Sequence, residues 1–214
     1  MRQEIVLASA NPGKLRELRA LLAPLGIRLL SQGELAISSV PENGLSFEEN
    51  ALLKARHAAR HAGLPAIADD SGLEVDALDG APGIYSARYA GPGATDADNN
   101  RLLLRKLEGV PEARRNARFR CCIAYLRRAD DPAPLICQGA WEGCIVSSAG
   151  ARVAGGAGGF GYDPLFYLPQ LGCTSADLSP ARKNRLSHRG QAVRKLAQSL
   201  AAGRPATPRR SGHG

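Results

Sequence analysis

Two long strand-forming segments in the second half of the chain limit the fold that it can adopt. They run from Ala117 to Leu126 and from Leu135 to Val146, and turn-forming residues from Asp130 to Pro134 separate them. This pattern predicts an antiparallel pair of strands. The remaining segments alternate between short strands and helices, so we expect an α/β fold with a mixed sheet.

Cap, stop and spacing signals place the other elements. Ser46 with Glu49 has the spacing of a capping box, and Thr95 and Asp98 cap a later helix in the same way. Asp69 and Asp70 fall between two short strands, so we expect them at a strand end. The predicted elements are strands from Glu4 to Ser9, from Ala66 to Ala68 and from Leu73 to Val75, and helices from Lys14 to Leu22, from Ser46 to a stop at Gly63 and Pro65, from Thr95 to about Leu107, and from Ser187 to Ala202 with a stop at Gly203.

Length and composition exclude several classes of protein. With 214 residues, 44% of them hydrophobic, the chain can bury one large core or two lobes that share a cleft. We expect a single catalytic domain over residues 1–203 and a disordered basic tail over 204–214. The apolar run from Ile5 to Ala8 is too short for a signal peptide or a membrane span, so we expect a cytoplasmic protein without a membrane partner.

Cysteine content and net charge say less about the class of protein. The five cysteines match neither a metal-site spacing nor a disulfide framework, and we interpret them as reduced core thiols. The net charge is +8, and it is +5 without the three arginines of the tail. Such a charge suits a nucleic acid, a triphosphate or simply a solvated surface, and charge alone does not decide between them.

A candidate phosphate-binding loop follows the first strand. Ser9-Ala10-Asn11-Pro12-Gly13-Lys14 places a lysine and backbone N–H groups at the start of a helix, where an anion is stabilised. It is not a Walker A loop, because Leu15 stands where that loop has Ser or Thr. The alternative is an ordinary turn. Lys54, on the apolar stripe of the second helix, is either a second phosphate contact or a side chain that extends to solvent.

Paired carboxylates supply candidate metal ligands. Neighbouring strand residues point to opposite faces, so Asp69 and Asp70 should have different roles. Magnesium prefers hard oxygen ligands and often joins carboxylates to substrate phosphates. Glu42 and Glu49 are candidate additional ligands, although Asp-Asp-Ser-Gly is also an ordinary turn sequence.

The last third of the chain offers a binding site for a flat ring. A glycine run from Gly155 to Gly161 contains Phe160, whose ring can stack on a base, while Asp163 can accept from ring nitrogens. Simple core packing of these aromatic residues is the alternative. Lys183, His188 and Arg189 surround a helix start, where cations are unfavourable unless an anion or a carbonyl binds them.

Five motifs of the chain, in their order, resemble the inosine triphosphate pyrophosphatase family over roughly residues 4–200. They are SANPGK, SFEENALLKA, ADDSG, GGFGYDP and K-x-x-x-x-SHRGQA. The resemblance implies an elongated, two-lobed α/β fold with a twisted mixed sheet, a central substrate cleft and a homodimer. It also implies hydrolysis of deaminated purine nucleoside triphosphates (ITP, dITP and XTP) to the monophosphate and pyrophosphate. Such an activity removes altered purines from the nucleotide pool.

The resemblance also assigns residues. Asp70 is the implied general base and Mg²⁺ ligand, with Asp69 and Glu42 as metal partners, and cationic His188 and Arg189 are expected to read the 6-oxo group. This chain has Ala10 where the family commonly has glycine. The implied substrate-binding residues are Ser9, Ala10, Asn11, Pro12, Gly13, Lys14, Lys54, Ser71, Phe160, Gly161, Tyr162, Asp163, Lys183, His188 and Arg189.

Two other readings fit parts of the sequence. The segment LASANPGKLREL is similar to the start of the Maf-type nucleotide pyrophosphatases, which carry a Ser-Pro-Arg-Arg type turn in place of Asn-Pro-Gly-Lys. A basic chain with an arginine tail also suits a nucleic-acid-binding module. Because no recognisable nucleic-acid-binding motif is present, we expect no stable nucleic-acid partner.

Overall fold

The structure, a computed structural model, describes residues 3–146 and 159–202. The predictions for residues 155–158, for the helix stop at 203 and for the tail lie outside these ranges. The strands are β1 (Gln3–Leu7), β2 (Ile27–Ser31), β3 (Ala66–Val75), β4 (Asn116–Leu126), β5 (Leu135–Ile145), β6 (Phe166–Leu168) and β7 (Cys173–Thr174). The helices are α1 (Pro12–Leu22), α2 (Phe47–Ala62), α3 (Asp96–Lys106), α4 (Pro180–Leu186) and α5 (His188–Ala202), and short 3-10 helices, among them Gly83–Arg88, connect them.

The strands form one mixed sheet in the order β2-β1-β3-β4-β5-β6-β7. β1 pairs in parallel with β2 and β3, and the other neighbouring strands pair antiparallel. β4 and β5 are the long antiparallel pair that the sequence predicted, running from Asn116 opposite Cys144 to Tyr125 opposite Leu135. The predicted α/β fold with a mixed sheet is therefore confirmed, although β2, β6 and β7 were not predicted.

The predicted break between two short strands at Asp69 to Gly72 is wrong. β3 is continuous and pairs with β4 from Ala66 opposite Leu126 to Val75 opposite Ala117. The β4 ladder bonds the backbone of this segment, so its turn-forming residues have no need to turn. Gly72 serves close packing instead, since a Cβ atom there would lie 2.3 Å from the carbonyl oxygen of Gly83. Asp69 and Asp70 thus lie within a long strand.

Hydrophobic side chains pack at both ends of β3 and β4. At one end, Ile67 and Ile123 pack against α1 and α5, while the alanines of α2 cover the other face of the sheet. At the opposite end, Leu73 and Phe119 pack with side chains of α3 and β6. Asp69 and Asp70 lie along β3 between these two ends. Whether residues 1–203 form a single catalytic domain stays a prediction.

Local signals explain most helix boundaries. Asn11 caps α1, so this helix begins at Pro12 and not at Lys14. Ser46 caps α2, but the Glu49 carboxylate accepts from the N–H of Leu45 and the predicted capping box is not closed on Ser46. The box of Thr95 with Asp98 is complete.

The C-terminal helical region differs from its prediction. α4 precedes the last helix, and Ser187 separates the two. Ser179 caps α4 and Pro180 occupies its first turn, a signal that was present in the sequence. Among the described residues, no helix is both long enough and apolar enough to span a bilayer.

All five cysteines are free thiols. Cys121, Cys122 and Cys137 are buried, whereas Cys144 and Cys173 are half-buried. The interpretation as core thiols therefore holds for three of them.

Candidate active site

A cleft of about 300 Å³ crosses the middle of β3, between the two hydrophobic ends of the sheet. Its volume suits a small-molecule ligand. Pro12, Gly13, Asp69 and Glu49 do not line it. The cleft brings together Ser9, Ala10, Asn11, Lys14, Glu42, Lys54, Asp70, Ser71, Phe160, Gly161, Tyr162, Asp163, Lys183, His188 and Arg189.

The predicted phosphate loop forms one wall of the cleft. The Asn11 Oδ1 atom accepts hydrogen bonds from the N–H groups of Gly13 at 2.8 Å and Lys14 at 3.1 Å. Two of the N–H groups predicted to bind phosphate are therefore occupied by this cap. Lys14 extends into the cleft, where its Nζ atom lies 3.4 Å from Asp69 Oδ1.

Asp70 faces α2. Its Oδ1 atom lies 2.9 Å from Lys54 Nζ, and Asn50 Nδ2 donates to its Oδ2 at 3.3 Å. Burial raises the pKa of the Asp70 carboxyl above its ordinary value, although Lys54 and Lys14 act in the opposite direction. A carboxylate with a raised pKa is a stronger base than an exposed one.

Asp69 points to the opposite face of β3, as strand geometry requires. Its Oδ2 atom accepts from the Arg189 guanidinium at 3.1 and 3.2 Å and from Ser71 Oγ at 3.2 Å. Burial favours protonation, but Lys14 and Arg189 outweigh it and hold the pKa of Asp69 well below its usual range. Within the described residues, Asp69 Oδ1 has no hydrogen-bond partner.

Lys54 lies between two carboxylates. Its Nζ atom is 2.7 Å from Glu42 Oε1 and 2.9 Å from Asp70 Oδ1. Its side chain is only 12% exposed, which excludes the alternative that it extends to solvent. Burial lowers the pKa of the Lys54 ammonium, but Asp70 and Glu42 outweigh burial and raise it. In the part of the chain that the structure describes, no three His, Cys, Asp or Glu side chains converge as a metal site.

Phe160 lines the cleft beside the phosphate loop. Its ring packs against Gly13, where a Cβ atom would lie 2.7 Å from the ring, and this contact explains why Gly13 cannot carry a side chain. The Lys183 ammonium lies 4.7 Å from the ring centroid, and the Arg189 guanidinium carbon lies 5.9 Å from it. The hydroxyl of the buried Tyr162 donates to the Ser86 carbonyl oxygen at 2.8 Å.

Asp163 was expected to accept from ring nitrogens of a base, but its carboxylate is engaged by the protein. It accepts from Lys183 at 2.5 Å, from Ser175 at 2.7 Å and from the Phe160 N–H at 2.8 Å. Asp163 therefore orients Lys183 and Phe160. A sequence motif identifies such a carboxylate but does not show which atoms satisfy it.

His188 is buried and stacks on Phe119, with ring centroids 4.9 Å apart. Burial, together with the nearby Arg189 and Lys183, lowers the pKa of His188 well below that of a free imidazole. The lowered pKa favours the neutral ring over the cationic His188 that the sequence analysis expected. His188 Nδ1 is buried and has no partner among the residues described.

Glu17 was not identified from the sequence. This carboxylate on α1 lies 3.2 Å from Lys183 Nζ and also contacts Arg189 Nη1. It follows Lys14 by three positions, so both side chains project from the same side of α1. That spacing was the available signal, and Glu17 connects the helix of the phosphate loop to Lys183 and Arg189.

Known proteins of one family are similar to this chain in sequence and in structure. The model of the Ham1 family matches residues 5–199. A dITP/XTP pyrophosphatase of Thioalkalivibrio sulfidiphilus is 60% identical over 197 residues, covering 92% of this chain and 98% of that protein. The HAM1 protein of Coxiella burnetii superposes with a TM-score of 0.83 at 49% identity, covering 94% of this chain and all of that one. The Staphylococcus aureus Ham1 protein, at 39% identity and the same two coverages, gives a TM-score of 0.80.

Proposed function

This chain belongs to the Ham1 family, and on that basis we propose that it hydrolyses dITP, ITP and XTP to the monophosphate and pyrophosphate. The resemblance expected from the five motifs is thereby confirmed. One observation carries the proposal: a single cleft is lined by Lys14, Lys54 and Asp70 and also by Phe160 and Arg189. Cations and a carboxylate suit a triphosphate, and an aromatic ring beside hydrogen-bond donors suits a purine.

Asp70 is the proposed general base. It removes a proton from the water that attacks the α-phosphorus, so the bond between the α-phosphorus and the bridging oxygen breaks and pyrophosphate leaves. Lys14 and Lys54 neutralise the charge that develops on this leaving group. Lys54 also holds Asp70 at 2.9 Å, which orients the carboxylate. Ser71, which lines the cleft beside Asp70, is a further proposed substrate contact.

The carboxylates of Asp70 and Glu42 fit a magnesium ion. They already share the positive charge of Lys54, and magnesium in triphosphate sites takes one or two carboxylates, with phosphates and water as its other ligands. When bound, magnesium supplies Lewis-acid polarisation of a phosphate oxygen. Asp69 stays a predicted ligand, since in this structure its carboxylate pairs with Arg189 and Lys14.

Base selectivity rests on hydrogen-bond complementarity. The guanidinium of Arg189 presents only donors, so it suits the 6-oxo acceptor of hypoxanthine or xanthine and not the 6-amino donor of adenine. The neutral ring of His188 adds one donor and one acceptor. A donor left unpaired in a buried site is costly, which makes ATP a poor substrate.

The assembly and the compartment are further parts of the proposal. The family resemblance supports a homodimer, and free thiols suit the reducing cytoplasm. The proposed partner is the purine nucleoside triphosphate itself, without a stable nucleic acid or a membrane.

A substrate panel tests the function. The purified protein is incubated with magnesium and the triphosphates of inosine, deoxyinosine, xanthosine, guanosine, adenosine, thymidine and uridine, and both products are identified. We expect turnover of the inosine, deoxyinosine and xanthosine substrates with release of pyrophosphate. Preference for pyrimidine nucleotides would favour the Maf-type alternative, and release of phosphate from the γ-position would contradict the proposed site of attack.

A further inference from the structure

Helix α3 contacts the loop that carries Phe160. Asp96, in the first turn of α3, accepts a hydrogen bond from the N–H of Gly161 at 2.7 Å through Oδ2. Asn100, one turn later, donates from Nδ2 to the carbonyl oxygen of the same Gly161 at 3.0 Å. Residues four apart share a helix face, so both polar backbone groups of Gly161 are bound by one element.

These hydrogen bonds hold the backbone of Gly161, the residue that follows Phe160 in the chain. The N–H of Phe160 is bound by Asp163, and the following N–H is bound by Asp96. Gly161 has a φ of 61°, in the left-handed region, so this backbone adopts a conformation that residues other than glycine rarely occupy. The orientation of the Phe160 ring therefore depends on contacts from two separate parts of the chain.

The capping box of α3 does not use the two side chains that bind Gly161. The capping box of α3 uses Thr95 and Asp98, and Asn99 bonds the backbone of residues 87 and 90. Asp96 lines the cleft beside Gly161. The Oδ1 atom of Asn100 is buried without a hydrogen-bond partner among the described residues. The bond to Gly161 is therefore the one hydrogen bond of this side-chain amide within the described residues.

We propose that Asp96 and Asn100 are positioning residues that fix Phe160 as the platform for the base, so that α3 controls affinity for the base but not for the phosphates. The inference rests on the proposed function, because it requires that a purine stacks on Phe160. The phosphate contacts Lys14 and Lys54 are held by Asp69, Asp70 and Glu42 and are separate from α3.

The test uses two ligands that carry different parts of the substrate. Inosine monophosphate carries the base, and tripolyphosphate with magnesium carries only the phosphates. Dissociation constants are measured by calorimetry for the wild type, for Asp96→Ala and for Asp98→Asn, which removes a carboxylate charge from the same helical turn but keeps an acceptor oxygen for the Thr95 cap. Asp96→Asn, which keeps an acceptor oxygen, is the conservative variant.

We expect Asp96→Ala to bind inosine monophosphate about 10-fold more weakly, as for the loss of one charge-assisted hydrogen bond. Its tripolyphosphate affinity should stay within about 2-fold of the wild type, because the phosphate contacts are untouched. Asp96→Asn should recover most of the loss, and Asp98→Asn should match the wild type with both ligands. With ITP as substrate, the change should fall on KM more than on kcat.

Equal behaviour of Asp96→Ala and Asp98→Asn, or equal weakening of both ligands by Asp96→Ala, would overturn the inference. If Asp96→Ala does not fold, Asn100→Ala is used with the same two ligands and the same criteria. A wild type that binds inosine monophosphate but does not hydrolyse ITP would contradict the proposed function and leave the ligand comparison interpretable.

Discussion

Asp69 and Asp70 are adjacent in the chain and differ in chemistry. Asp70 is paired with one ammonium while burial raises its pKa, whereas Asp69 meets Arg189 and Lys14, which lower its pKa despite burial. The strand separates the two because successive side chains point to opposite faces. Of the pair, Asp70 is therefore suited to accept a proton, and Asp69 is suited to hold cations in place.

Replacement of Asp70 separates chemistry from binding. Asp70→Asn keeps the size and the polar contacts of the side chain but removes its basicity, so we expect at least about a 100-fold fall in kcat. Inosine monophosphate should still bind, since the base end of the cleft is unchanged. Calorimetry and initial rates on the same preparation check both parts, and a near-normal kcat would remove Asp70 from the role of general base.

Burial of neutral His188 predicts a dependence of stability on pH. The unfolded imidazole titrates near 6.5, whereas the folded ring has a much lower pKa. As pH falls through 6.5, the unfolded chain therefore takes up a proton that the folded chain does not, and stability decreases. From about pH 7.5 to about pH 5.5, the wild type should lose about 1.4 kcal/mol more than His188→Gln. Urea unfolding of both proteins measures this difference, and parallel curves would mean that the pKa of His188 does not change on folding.

At the scale of single residues, sequence reasoning succeeded where chemistry is local. The motifs identified Lys14, Lys54 and Phe160, and all three line the cleft. Sequence reasoning failed where a property of a residue depends on neighbours that are distant in the chain. The neutral charge state of His188 follows from tertiary burial, and the contact of Glu17 with Arg189 joins positions 172 apart.

At the scale of elements, tertiary pairing overrode local signals in β3. The turn-forming types of Asp69 to Gly72 predicted a break, yet the ladder with β4 keeps the strand extended. Helix signals were more reliable, because caps such as Ser46 and Thr95 act within one turn. Short edge strands such as β7, with two residues, are too short to show a periodic pattern.

The packing of α5 on β5 gives a prediction for a glycine. A Cβ atom at Gly139 would lie 2.1 Å from the carbonyl oxygen of His188, so the start of α5 approaches the strand backbone closely. Gly139→Ala should displace this helix start and cost about 1–3 kcal/mol of stability. It should also weaken binding of inosine monophosphate, because Arg189 lies in the displaced turn.

A matched control for this variant is Gly33→Ala. A Cβ atom at Gly33 meets nothing closer than the Ser31 Oγ at 3.9 Å, so the substitution adds the same methyl group without a clash. Chemical denaturation and calorimetry on both variants provide the comparison. Equal stability and affinity of the two variants would show that the backbone contact at Gly139 is not required.

At the scale of the molecule, the cleft joins distant parts of the chain, from Ser9 to Arg189. A ligand in it should therefore stabilise the whole described structure as one cooperative unit. At about 100 times its Kd, inosine monophosphate should raise the free energy of unfolding by about 2.7 kcal/mol. Calorimetric unfolding with and without the ligand tests this, and two transitions of which only one shifts would show that the two ends of the sheet unfold separately.

The ion pair of Asp69 with Arg189 also sets an order of events during synthesis. Asp69 is made early, whereas Arg189 is made near the end of the described chain, and an ionised carboxylate cannot be buried at low cost before its partner is present. A nascent chain that ends before α5 therefore leaves the Asp69 carboxylate without its guanidinium partner, and it also lacks His188 and Arg189 in the lining of the cleft. The complete cleft thus forms only after the last helix has been made.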